Sequence, residues 1–324
     1  MGKLFGTDGI RGIANKDLTA ELAFKTGQSG AYVLTKHSSK IPRILIGKDT
    51  RKSGDMLEAA LTAGLCSMGA KVIPLGVVPT PAVAYLTRYY KADAGVVISA
   101  SHNPCEYNGI KFFNSDGYKL SDGIENEIES YILGEKAIEE LPTHGKVGYV
   151  SANHNAVEDY VAFAVSTIDC RLDGMKIAVD CANGASYETA FKALNKLGAN
   201  VEAIHNTPDG VNINHMCGST HMESLQAYVT SIGADIGIAF DGDADRMLAV
   251  DENGKLIDGD QIMAACAKFM RDNGTLKQNT LVATVMSNLG LFMAGEKIGI
   301  NIPRTKVGDR YVLEEMLAKG YNIG

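Results

Sequence analysis

The 324-residue sequence contains no apolar run of about 18 residues, the length a membrane-spanning helix needs. Its opening, MGKLFGTDGIRG, lacks the apolar stretch of a secretory leader. Basic residues are outnumbered: 31 Lys and Arg stand against 38 Asp and Glu, a net charge of −7. This weighs against nucleic acid as a main partner, because binding a phosphate backbone needs a basic surface. A small phosphorylated ligand needs only a few local cations and stays open as a partner. The six cysteines, at positions 66, 105, 170, 181, 217 and 266, include no C-x-x-C pair. Reduced thiols in a cytoplasm are therefore expected, with no membrane insertion. The 35 glycines follow no three-residue period and no heptads run through the chain, which excludes collagen-like and coiled-coil classes. An apolar content of 45% excludes disorder as the main state. The length suggests two or three domains of ordinary size.

What is present is an internal repeat. The first copy has a strand-like run at Arg43–Gly47 and a helical stretch from about Ser53 to Met68, with Leu57, Leu61 and Leu65 at four-residue steps. Gly69 stops that helix. A strand at Lys71–Leu75, a helix near Pro79–Tyr90 and a strand at Ala94–Ile98 follow. The second copy repeats the order with Lys176–Asp180, Ser186–Leu197, Asn200–Ile204, Met222–Ser231 and Asp235–Phe240. The third has Thr280–Val285, Leu289–Ile298, Asn301–Arg304, Asp309–Lys319 and Tyr321–Gly324. Local echoes support the alignment: Met68-Gly69-Ala70-Lys71-Val72 matches Leu197-Gly198-Ala199-Asn200-Val201. Alternating short strands and helices predict three tandem α/β units with mixed, mainly parallel sheets. The expected domains are 1–150, 151–254 and 255–324. One large α/β domain is the alternative.

In open α/β sheets, ligands bind beyond the carboxyl ends of the strands. The third strand of copy one runs into Ser99-Ala100-Ser101-His102-Asn103-Pro104. The third strand of copy two runs into Asp241-Gly242-Asp243-Ala244-Asp245-Arg246. Aligning Gly95 with Gly237 places Ser101 on Asp243. Three alternating carboxylates can converge in an extended stretch, and oxygen-only ligation suits a hard ion such as magnesium. An EF-hand and a solvated acidic turn are the rivals. The EF-hand needs glycine at its sixth position, where Arg246 stands, and its flanks should be helices. Ser101 does not lie in a G-x-S-x-G elbow, and a phosphate-carrying serine balanced by a cation fits better. Alone it would read as a surface turn. Lys111 lies about ten residues on, near enough to fold back over Ser101, and would otherwise read as a surface lysine.

The segments FGTDGIRG (5–12), SASHNP (99–104), NGIKFF (108–113), DGDADR (241–246) and VGDR (307–310) occur in the order found in the α-D-phosphohexomutases, which the chain resembles throughout its length. YNGIKFFNSDGYKL and TVMSNLG are most similar to the phosphoglucosamine mutase branch. The resemblance implies an isomerase that interconverts glucosamine 6-phosphate and glucosamine 1-phosphate through a bisphosphorylated sugar, primed by glucosamine 1,6-bisphosphate. It implies Ser101 as the phosphoserine, with Asp241, Asp243, Asp245 and a Ser101 phosphate oxygen holding one Mg2+. Lys111, Arg11 and His102 would serve the reacting hydroxyl. Arg246 would lie beside the phosphate, and Gly308, Asp309 and Arg310 would face the sugar. A homodimer is also compatible with it. Family members continue into a Glu-x-Ser sugar loop and a fourth, phosphate-gripping domain. A chain ending at Gly324 is therefore expected to be part of a longer protein and to turn over poorly alone. A phosphomannomutase or phosphoglucomutase is the nearer alternative, and a non-catalytic fragment that binds metal or phosphate is the other.

Overall fold

A computed structural model describes residues 4–6, 9–36, 40–152 and 155–324. Thr7 and Asp8 of the first glycine-rich motif lie outside them. The chain divides into two compact units, residues 1–247 with 252–254, and residues 248–251 with 255–324.

The first unit begins with strands β1 (Phe5–Gly6) and β2 (Gly9–Ile13) and helix α1 (Ala20–Thr35). The first repeat copy follows: β3 (Arg43–Lys48), α2 (Ser53–Ser67), β4 (Lys71–Val77), α3 (Thr80–Tyr89) and β5 (Ala94–Ile98). Then come β6 (Tyr107–Asn114), α4 (Asp122–Ile132), β7 (Tyr149–Val150) and α5 (Ala156–Ser166). The strands form one sheet in the order β1-β2-β6-β5-β3-β4-β7. Its β5-β3-β4-β7 part is parallel, and β6, β2 and β1 extend it antiparallel. Successive residues alternate between the two faces, as a pleated strand requires. Ile44, Ile46, Val96, Ile98 and Phe112 pack under α1, α2 and α4. Leu45, Val97 and Phe113 pack under α3 and α5. Both faces of β5 are covered, which is why its sequence is a continuous apolar run. The helices α1 and α2 cross closely at Gly64, where an added Cβ would lie 2.1 Å from the Phe24 carbonyl oxygen.

The second copy, β8 (Lys176–Asp180), α6 (Thr189–Lys196), β9 (Asn200–Ile204), α7 (Glu223–Ile232) and β10 (Ile236–Phe240), builds a parallel set in the order β9-β8-β10. This matches β4-β3-β5 of the first copy. The register agrees as well. Ile44 pairs with Val72 and Ala94, while Ile177 pairs with Val201 and Ile236. Gly95 is thus equivalent to Gly237, as the sequence echoes predicted.

The second unit has a hairpin of β11 (Met247–Asp251) and β12 (Leu256–Ile257), helix α8 (Gly259–Asp272), β13 (Ala283–Thr284), α9 (Leu289–Ile298), β14 (Arg304–Thr305) and α10 (Asp309–Lys319). Its strands are shorter than the predicted 280–285, 301–304 and 321–324. The Leu281, Ala283 and Val285 amides donate to Asn301, Pro303 and Thr305, and Val282 donates to Ile323. The spatial order of the three segments is that of the other copies, but Pro303 has no N–H to return to the ladder.

Candidate active site

The loops after β5 and β10 meet. Ser101 is fully buried and holds a left-handed backbone, φ +52°. Its hydroxyl donates to Asp241 Oδ2 at 2.6 Å. Its amide donates to Ser99 Oγ at 2.9 Å. Its carbonyl accepts from Arg51 Nη2 at 3.1 Å and from Asn214 Nδ2 at 2.8 Å. The same two side chains donate to the Asn103 carbonyl. The main chain of the turn is therefore held independently of the hydroxyl that faces the carboxylates.

Asp241, Asp243 and Asp245 bring carboxylate oxygens within 4.8 Å of one another. Asp243 Oδ2 accepts from Thr80 Oγ1 at 2.8 Å and from Lys111 Nζ at 2.9 Å. Its other oxygen, Oδ1, is buried with no hydrogen-bond partner. Leaving a buried acceptor unmade costs about 1–3 kcal/mol, more for a charged group. Burial, then the charges of Asp243 and Asp245, pushes the Asp241 carboxyl up to about 7. Burial acts in the same sense on Asp243, but the Lys111 charge and bonds from Lys111 and Thr80 hold it below the usual carboxylate range. Such a cluster suits a hard cation that takes the orphaned oxygen and offsets the crowded charge. The loop is not an EF-hand, because strands flank it. Nor is it a solvated turn, because Asp241 and Asp243 are buried.

Lys111 is buried and not a surface lysine. It stands opposite Val97 in the β5–β6 pairing, which carries its ammonium to Asp243. Arg11 faces Gly109 across β2 and β6. A Cβ at Gly109 would sit 2.6 Å from the Ser99 carbonyl oxygen and 3.0 Å from Arg11 Cγ, so only glycine lets the arginine stem lie over this turn. His102 Nδ1 is 3.2 Å from Arg246 Nη1. Burial, then the Arg246 and Arg11 charges, lowers the His102 pKa and favours a neutral ring. The Arg246 amide donates to Asp241 Oδ1 at 3.3 Å, and its Nε lies 3.6 Å from Asp245 Oδ1. In the second unit, Gly308 caps α10 at φ +134°, and Asp309 and Arg310 form its first turn.

Sequence reasoning missed Asp49, Arg51, Thr80 and Asn214. Asp49 and Arg51 form a buried ion pair just beyond β3, and the Arg51 amide also donates to Asp49 Oδ1 at 3.0 Å. The strand-end rule applied to Ser101 would have found Lys48-Asp49-Thr50-Arg51 had it also been applied to the first strand of the copy. Asn214 comes from the loop after β9 and sits against Gly242, where a Cβ would lie 2.6 Å from Asn214 Nδ2 and from the Ser101 carbonyl oxygen. Replacing Asn214 by alanine removes two neutral hydrogen bonds while Arg51 still holds both carbonyls. The expected loss is about 1–2 kcal/mol of stability, at about 1 kcal/mol per bond, read from the urea midpoint. A loss above about 4 kcal/mol would mean that Asn214 and not Arg51 carries the turn.

Three family descriptions match the chain: "Phosphoglucomutase/phosphomannomutase, alpha/beta/alpha domain I" over residues 2–139, domain II over 157–254 and domain III over 258–324. Phosphoglucosamine mutases of Acetivibrio thermocellus and Clostridium acetobutylicum are each 62% identical over all 324 residues, which span 72% of either relative. A crystal structure of a phosphoglucomutase/phosphomannomutase family protein from Burkholderia thailandensis superposes with a TM-score of 0.83 at 25% identity. The match covers 98% of this chain and 69% of that one.

Proposed function

The chain belongs to the phosphoglucomutase/phosphomannomutase family, and we propose that its reaction is the interconversion of glucosamine 6-phosphate and glucosamine 1-phosphate. Relatives 62% identical over the whole chain are named for that activity. The observation that carries the reading is the Ser101 hydroxyl, 2.6 Å from Asp241 Oδ2, in a carboxylate cluster whose buried Asp243 Oδ1 has no donor.

In this reading Ser101 Oγ carries the phosphoryl group. Asp241, Asp243 and Asp245 would hold Mg2+, and a phosphate on Ser101 would offer a further oxygen to it. The ion supplies charge neutralisation for the transferring phosphoryl group. The Oγ–P bond breaks as a bond forms from phosphorus to a sugar hydroxyl, and the hydroxyl proton ends on Ser101 Oγ. Lys111 and Arg11 steady the phosphoryl charge, and His102, favoured neutral, can accept and return the proton. The bisphosphorylated sugar then turns over and returns its other phosphate to Ser101. Glucosamine 1,6-bisphosphate would prime an unphosphorylated enzyme. Arg246 is assigned to the phosphate, and Gly308, Asp309 and Arg310 to the sugar. Among the described residues no helix is long and apolar enough to cross a membrane.

The test uses the natural full-length protein, primed with bisphosphate and Mg2+, with 31P NMR following glucosamine, glucose and mannose 6-phosphates. Conversion of the glucosamine ester at least tenfold faster than the others is expected. Equal or faster conversion of glucose or mannose 6-phosphate assigns the protein to those branches, and no conversion of any supports a binding role only.

A further inference from the structure

We propose that Asp180, His205 and Cys217 form a second metal site, separate from the Asp241–Asp245 loop, for a borderline transition ion of the Zn2+ class. Asp180 ends β8, and its neighbour in the β8–β9 register is Ile204, the residue before His205. Carboxylate and imidazole therefore leave the carboxyl edge of the sheet side by side, with His205 Nδ1 2.9 Å from Asp180 Oδ2. Cys217 arrives from the loop after β9. Asp180 and Cys217 are fully buried and His205 is about one-third exposed. The three donor atoms lie within 4.8 Å of one another.

In a tetrahedral zinc site, bonds of about 2.0–2.3 Å put neighbouring donors roughly 3–4 Å apart. The observed spacing needs only small side-chain movements to reach it. The donor set also discriminates. Sulfur and imidazole are poor partners for Mg2+, and a set of three protein ligands drawn from Asp, His and Cys suits zinc. The carboxylate is already oriented, since the Ala182 amide donates to Oδ1 at 2.8 Å and the Gly218 amide to Oδ2 at 3.0 Å. Such outer hydrogen bonds are typical of metal-ligating side chains.

The backbone here is also unusual. Ala182, Asn183, His205, Asn214 and Met216 all have φ between +47° and +57°. Each such residue other than glycine costs on the order of 1 kcal/mol or more, and strain of this kind concentrates at sites of function. On binding, the Cys217 thiol proton leaves to solvent, the His205 proton moves to Nε2, and the Asp180–His205 hydrogen bond is exchanged for bonds to the ion. The same loop carries Asn214, so the ion would also stiffen the support of the Ser101 turn.

The test is Co2+ titration of the chelator-treated full-length protein, followed by absorption. A thiolate-to-cobalt charge-transfer band with one-to-one stoichiometry is expected, displaced by Zn2+ but not by excess Mg2+. Cys217→Ser removes the band. His205→Ala, at a part-exposed position, weakens cobalt binding at least about tenfold. Asp245→Asn leaves the band unchanged, which separates this site from the acidic loop. No charge-transfer band in the wild type, or a band of full strength in either Cys217→Ser or His205→Ala, overturns the proposal. None of these readouts depends on mutase activity.

Discussion

Replacing Ser101 by alanine is expected to lower mutase turnover of the full-length protein by about 10^4-fold or more while the protein still folds. The two halves of this expectation rest on different atoms. The main chain at Ser101 is held by its amide on Ser99 and by its carbonyl under Arg51 and Asn214, none of which involves the hydroxyl. Alanine meets the same left-handed backbone that serine already occupies at φ +52°. The hydroxyl contributes one bond, to Asp241 Oδ2. Bonds to charged groups contribute about 1.5–3 kcal/mol, and this one is shared with a carboxyl that burial and its neighbours have already pushed up to about 7. A stability loss of about 1–3 kcal/mol is therefore expected, which leaves a protein of ordinary stability folded. Chemistry has no such margin. A methyl group cannot carry a phosphoryl group, and loss of a nucleophile in other enzymes removes on the order of 10^6 of rate. Thermal melting, 31P NMR turnover and intact mass together decide it. An alanine variant that melts near the wild type and keeps more than about 1% of its activity would show that the phosphoryl group travels by another atom.

Ser101 and the three aspartates were legible because each group is local. Ser99–Pro104 and Asp241–Arg246 are short runs, and the repeat alone sets them at equivalent strand ends. The register that supports this, Gly95 with Gly237, appears in the sequence as Ala92-Asp93-Ala94-Gly95-Val96 beside Ala234-Asp235-Ile236-Gly237-Ile238. The supporting residues were not legible, because each acts across a long span of chain. Arg51 reaches a carbonyl 50 residues away, Asn214 one 113 residues away, and Thr80 a carboxylate 163 residues away. Nothing in Val78-Pro79-Thr80-Pro81 marks a hydroxyl that will meet Asp243. The burial of Lys111 was hidden for a related reason. Tyr107–Asn114 is a strand packed on both faces, so no alternation separates its lysine from its apolar neighbours. The shortened strands of the second unit show the opposite case, in which the apolar run Thr280–Val285 promised more ladder than its proline-bearing partner could pair.

Asp243→Asn is expected to destabilise the protein by about 3–5 kcal/mol, the larger stability effect of the two, and to abolish turnover as well. Asparagine keeps the size of the side chain and can still accept from Thr80 and Lys111. What it removes is charge. Lys111 and Asp243 are both buried, with their charged atoms 2.9 Å apart. Breaking a buried pair by neutralising one member leaves the other ammonium in a low-dielectric interior without that partner's charge, and such changes cost about 3–5 kcal/mol. The double variant Asp243→Asn with Lys111→Met removes that buried ammonium as well and should recover at least half of the lost stability. Activity should not follow. The double variant lacks a carboxylate of the cluster and the cation beside Ser101, so both the metal affinity and the phosphoryl stabilisation are gone. Magnesium separates the two effects. It should raise the melting temperature of the wild type and have little effect on either variant, because the buried oxygen that seeks a cation, Asp243 Oδ1, is replaced in both. If the single variant lies within about 1 kcal/mol of the wild type, the Lys111–Asp243 pair is screened and contributes little. If Mg2+ stabilises Asp243→Asn as strongly as the wild type, Asp243 is not a ligand and the orphaned oxygen needs another explanation.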